Sequence, residues 1–101
     1  MTIKKLKEFF EKEGFQVHLT RQDKRQCAEV EKWTSGGVDM IAWLNPFTVE
    51  EFKSYVNDFD VDDQVQTHYQ DPKYRNAFTI RQSLDDFTEF HNHLKEVAAK
   101  L

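Results

Sequence analysis

The sequence predicts an α+β domain: a three-stranded antiparallel meander with three to four helices packed on one face, in the order α-β-β-β-α-α-α. Three observations predict it. Apolar and polar residues alternate in three segments between residues 15 and 45. The two connectors between those segments set registers that agree with each other. On either side of the segments, apolar residues recur three and four apart.

Residues 2–13 read as the first helix. Thr2 supplies an N-cap oxygen, Ile3, Leu6, Phe9 and Phe10 form one apolar stripe, and Gly14 suits the left-handed position that ends a helix. In the first strand, Phe15, Val17 and Leu19 alternate with Gln16, His18 and Thr20. Residues 22–25 form a polar connection. The second strand spans Gln26 to Thr34, and Ser35, Gly36 and Gly37 signal a turn. The third strand runs from Val38 to Asn45 and stops at Pro46, which cannot donate to a ladder.

These loops fix the register. A three-residue loop at 35–37 pairs Val30 with Ala42 and Ala28 with Leu44. A four-residue loop at 22–25 pairs Val17 with Val30 and Leu19 with Ala28. Both put Phe15, Val17, Leu19, Ala28, Val30, Met40, Ala42 and Leu44 on one face, and a one-residue slip would scatter that set.

Helices follow. Thr48 and Glu51 form a capping box ahead of the stripe Val49, Phe52, Tyr55, Val56 and Phe59. Asp60 can cap a further helix bearing Val61, Val65 and Tyr69; whether 48–70 is one helix or two stays open. Asp71-Pro72 ends it. Residues 72–82 read as an irregular connector anchored by Tyr74, Phe78 and Ile80. Ser83, with Asp86 as its capping partner, starts the last helix, whose seam is Phe87, Phe90, Leu94, Val97 and Leu101. With no repeat, low-complexity tract or linker, residues 1–101 read as a single domain.

Composition narrows the function classes. Fourteen basic and 18 acidic residues give a net charge of −4, which argues against direct nucleic-acid binding through phosphates. One cysteine, Cys27, cannot form an internal disulfide, so a reducing cytoplasm is expected. The N-terminal residues lack an apolar signal core. The longest apolar run, Met40 to Leu44, is far short of the roughly 20 residues that span a bilayer, so no membrane association is expected.

The register that builds the core face turns His18, Cys27, Glu29, Glu31, Trp33, Asp39, Ile41 and Trp43 to the other side. Two indoles and an isoleucine among acids are unusual for a solvated face. Glu29, Glu31, Trp33, Ile41 and Trp43 are therefore the candidate contact residues, for a protein partner or a second copy of the chain. The plain alternative is that the 72–82 connector or a chain terminus covers them. His18 opposite Glu29 offers an oriented imidazole for acid–base chemistry, but no nucleophile with its base and oxyanion hole accompanies it, so the leading expectation is non-enzymatic.

A second feature is acidic. Residues 46–71 carry Glu50, Glu51, Asp58, Asp60, Asp62, Asp63 and Asp71 against Lys53 alone. Such a face could occupy a basic nucleic-acid groove on another protein; ordinary solubility is the plain alternative. Asp58, Asp60 and Asp62 imitate the start of an EF-hand, but Asp63 replaces its glycine and Tyr69 its final glutamate, so no calcium loop is expected. His68, His91 and His93 read as surface histidines; His91 and His93 point about 200° apart on a helix and cannot share a metal. No metal and no cofactor are expected: no phosphate loop, paired-cysteine, nucleophile-elbow or zinc-helix motif occurs.

No motif places the chain in a family. Its size, acidic balance and helix–meander–helices layout look like those of many small phage- or plasmid-encoded proteins, including inhibitors of bacterial defence systems. That likeness implies a place for the acidic-inhibitor reading and no specific activity.

Overall fold

The computed structural model describes residues Met1–Leu101. Its elements are α1 (Ile3–Lys12), β1 (Gln16–Gln22), β2 (Arg25–Trp33), β3 (Asp39–Leu44), α2 (Val49–Asp58), α3 (Val61–Tyr69), α4 (Pro72–Ala77) and α5 (Ile80–Ala98). The sheet is antiparallel in the order β1-β2-β3, with helices packed on it: the α+β class expected, with five helices where the sequence suggests three to four.

Every pair in the expected register is present: Val17 opposite Val30, Leu19 opposite Ala28, Val30 opposite Ala42 and Ala28 opposite Leu44. The β1–β2 hairpin is tighter than expected. Its strands continue to Gln22 opposite Arg25, and the turn is Asp23-Lys24, both with positive φ (52° and 65°). That backbone matches the right-handed twist of a two-residue hairpin. At the other hairpin, Gly37 takes φ of 83° and the Thr34 hydroxyl accepts from Val38 N–H.

The core lies between the inner sheet face and the helices. Phe10, Phe47, Phe52 and Phe90 are fully buried with Leu6, Leu44, Leu94 and Val97. Phe10 of α1 meets Phe52 of α2 edge-on at 4.8 Å, a preferred aromatic geometry. α1 packs on β1, α2 on β3, and α5 against α2 and α3.

Two strand residues depart from the alternation. Leu19, expected in the core, is 40% exposed, because the helical layer does not extend over that end of β1. Cys27, expected on the outer face, is fully buried; it pairs with Thr20 on β1, and the chain after β3 returns beside it, where Phe47 N–H donates to the Gln26 carbonyl. The thiol sits 3.6 Å from the Arg25 carbonyl oxygen.

The 48–70 region is two helices. Phe59 is extended (φ −69°, ψ 121°), and Asp60 caps α3 by accepting from Asp63 N–H. The 72–82 connector is not irregular: Asp71 caps the short α4, and α5 starts at Ile80, three residues before the expected Ser83. Its cap is the Thr79–Gln82 box, both bonds present, while Ser83 and Asp86 lie buried within the helix. Tyr74 and Phe78 pack against the core, but Ile80 is exposed, being the first residue of α5 rather than an anchor.

Candidate interaction surface on the bare face of the sheet

The helices cover one side of the sheet, and strand alternation sends every second residue to the other. On that outer side the register makes three successive rungs between β2 and β3: Glu29 opposite Trp43, Glu31 opposite Ile41, and Trp33 opposite Asp39. In each rung a large apolar side chain faces a carboxylate. β1 extends two of them, with His18 beside Glu29 and Gln16 beside Glu31.

Trp33 is 59% exposed, Ile41 46% and Trp43 41%. Neither a terminus nor the 72–82 segment covers them; α4 packs against α3. Complete burial of each such side chain is worth about 1.5–3 kcal/mol, and the isolated chain leaves much of that unrealised. The candidate contact residues Glu29, Glu31, Trp33, Ile41 and Trp43 therefore share one surface.

The His18 side chain does not pair with its direct neighbour Glu29. Its Nε2 lies 3.1 Å from Oε1 of Glu31, the diagonal neighbour. That bond holds Glu31 below the usual carboxylate range, helped by Asp39. Asp39 moves the other way: desolvation, then the adjoining Glu31 carboxylate, push it up to about 6. Asp39 Oδ1 is buried without a donor. A polar chain, His18–Glu31–Asp39, thus crosses all three strands. The larger concavities lie along α5 and α2, and none is lined by His18 or Glu29.

The acidic residues of α2 and α3 occupy different positions. Glu50 and Glu51 lie in the first turn of α2, Asp62 and Asp63 in the first turn of α3, and Asp60 is the α3 N-cap. Negative charge there stabilises a helix against its own dipole. Asp58, the last residue of α2, has no such role.

The histidines are not plain surface residues. His68 is sandwiched edge-on between Tyr74 (4.3 Å) and Phe87 (4.6 Å), with Nδ1 buried and unpartnered, and burial lowers its pKa. His91 stacks on Phe59 at 4.8 Å. His93 stacks on Phe15 at 4.7 Å, and its Nδ1 lies 2.9 Å from Lys32 Nζ; burial first, then Lys32, lowers its pKa. Sequence reasoning missed this Lys32–His93 pair. The signal was parity: Lys32 falls on the inner side with Ala28 and Val30, where a lysine must reach a partner or the rim. No three His, Cys, Asp or Glu side chains converge as a metal-binding group.

No helix is long and apolar enough to cross a membrane. No protein-family model, no curated protein and no solved structure matches the chain.

Proposed function

We propose that this chain is a non-enzymatic protein-interaction domain that docks through the outer face of its sheet. The observation that carries the reading is the exposure of Trp33, Ile41 and Trp43 on a surface no helix covers. Indoles are favoured at docking sites because they provide a large contact area with few rotatable bonds. The surroundings of His18 favour binding over catalysis: its imidazole is open to solvent and engaged with Glu31, outside any of the larger concavities. A single buried thiol suits a reducing compartment.

The reading is tested by Trp33→Ala with Trp43→Ala. The double variant keeps its circular dichroism and loses association, whether with a captured partner or with a second copy in sedimentation. If the fold persists and every association is unchanged, the sheet face is not the docking surface. The acidic-inhibitor alternative rests on Asp58, Asp60, Asp62 and Asp63. It requires neutralisation of these four to abolish binding to a basic protein, and the helix-terminal placement of three of them accounts for their presence without a partner.

A further inference from the structure

The chemistry of the sheet face selects the charge of its partner. Its three β2–β3 rungs carry three carboxylates, Glu29, Glu31 and Asp39, and no lysine or arginine. The sheet's own cations lie outside these rungs: Lys32 reaches His93 on α5, and Arg21, Lys24 and Arg25 belong to the hairpin end of β1 and β2, with Arg25 on the outer face but four residues along β2 from Glu29. The nearest base, His18, is engaged with Glu31. A second copy docked about a two-fold axis would bring a face of the same composition against this one, with no lysine or arginine in the rungs of either copy to pair the carboxylates, and like charges across an interface are costly.

We propose that the face receives a cationic segment of another protein, whose arginine or lysine stems lie on Trp33, Ile41 and Trp43 and whose heads end on Glu29, Glu31 and Asp39. This rests on the reading of the face as a docking surface and adds the partner's chemistry. Each rung provides both halves of such a contact: cross-strand side chains stand about 5 Å apart, within the reach of one long cationic side chain. An indole attracts a cation over its ring, and a guanidinium also bonds a carboxylate through two N–H groups. The Asp39 carboxyl is crowded by the adjoining Glu31 carboxylate, while its Oδ1 is buried beyond a partner's reach. A cation over the third rung relieves that crowding. The carboxylates of α2 and α3 lack this pairing with indoles, so they form an internal control for attraction by charge alone.

The test is a nuclear magnetic resonance titration of the full chain, nitrogen-15 labelled, with short alternating Arg-Gly, Lys-Gly and Glu-Gly peptides. The Arg-Gly peptide is expected to move the indole N–H signals of Trp33 and Trp43 and the amides of the three rungs, with lysine weaker and glutamate silent. Glu29→Gln with Glu31→Gln weakens binding about tenfold, as loss of close charge partners does, and Asp62→Asn with Asp63→Asn leaves it unchanged. Should the double glutamine variant misfold, Glu29→Gln alone keeps the His18–Glu31 bond and is expected to weaken binding by a smaller factor. Equal binding by the glutamine variants, or shifts gathered on α2 and α3, overturns the proposal. Self-association abolished by the Trp33→Ala, Trp43→Ala variant, with no response to the cationic peptides, overturns the cationic partner while the docking face stands. Indoles silent to all three peptides in a chain monomeric at every concentration overturn both.

Discussion

The two faces of the sheet share one backbone and reverse the usual order of side-chain size. Inside, beneath the helices, stand Ala28, Val30 and Ala42, all fully buried. Outside stand Trp33, Ile41 and Trp43, each more than two-fifths exposed. Ala42 and Trp43 are chain neighbours. Small inner residues let the helices approach closely, and the phenylalanines of α1, α2 and α5 supply the volume of the core. The largest apolar groups of β2 and β3 are thus excluded from the core. The difference teaches that burial within the chain accounts for the inner face and leaves the outer face to the proposed partner.

The sharpest way to break this comparison is to truncate one aromatic on each side. Phe52→Ala removes a fully buried ring in contact with Phe10, and is expected to cost about 3–5 kcal/mol. Trp33→Ala is expected to cost less than about 1 kcal/mol, as exposed substitutions do. Urea unfolding of both variants decides it. If Trp33→Ala approaches the cost of Phe52→Ala, the outer indole is part of the fold's own stability.

A smaller effect is expected where the β2–β3 turn docks on α5. Glu89 accepts from Ser35 N–H at 3.0 Å, and a Cβ added at Gly36 would lie 2.5 Å from Asp86 Oδ1. Gly36→Ala should cost about 1–3 kcal/mol, the range for overpacking. In an Asp86→Ala background the same substitution should cost much less. Additive losses in that double-mutant cycle would show that the close approach to Asp86 is not what requires glycine.

Much of this was legible in the sequence, and the exceptions have physical causes. The register was legible because two loops constrained it independently, and both connectors carry turn residues. Alternation reports which side a residue faces, but not whether that side is covered there; hence Leu19 is open and Cys27 closed. The start of α5 was obscured because Thr79–Gln82 and Ser83–Asp86 compete as capping pairs, and only tertiary packing places Ser83 and Asp86 inside. The contact residues of the outer face were legible from strand parity. The bond from His18 to Glu31 rather than Glu29 was not, because side-chain length and rotamer choose between direct and diagonal neighbours.

Titration separates the two faces further. His68 and His93 are partly buried on the helical side, and that burial holds them below the ordinary value of 6.5. The unfolded chain therefore takes up protons near pH 6.5 that the folded chain resists, so stability falls as pH drops through that value. His68→Phe should flatten the fall below pH 6.5 in chemical unfolding. An unchanged slope would show that His68 accepts its proton without cost.

Asp39 titrates in the opposite sense, on the outer face. Its carboxyl is held at about 6, against an ordinary 3.8, by desolvation and by Glu31. Between those values the folded chain binds the extra proton, so ionising Asp39 removes stability as pH rises from about 4 through 6. Asp39→Asn abolishes that loss. It should leave stability nearly unchanged at pH 4 and raise it by up to about 1 kcal/mol at pH 7, after allowance for solvent screening. The same substitution should weaken the Arg-Gly peptide, since it deletes one of the three carboxylates. A gain in stability together with a loss in binding marks a group held at a cost to the fold for the sake of a partner. If Asp39→Asn instead destabilises the chain at pH 7, the carboxylate is supported by the sheet itself, and the contrast between a satisfied inner face and an unsatisfied outer one fails at that rung.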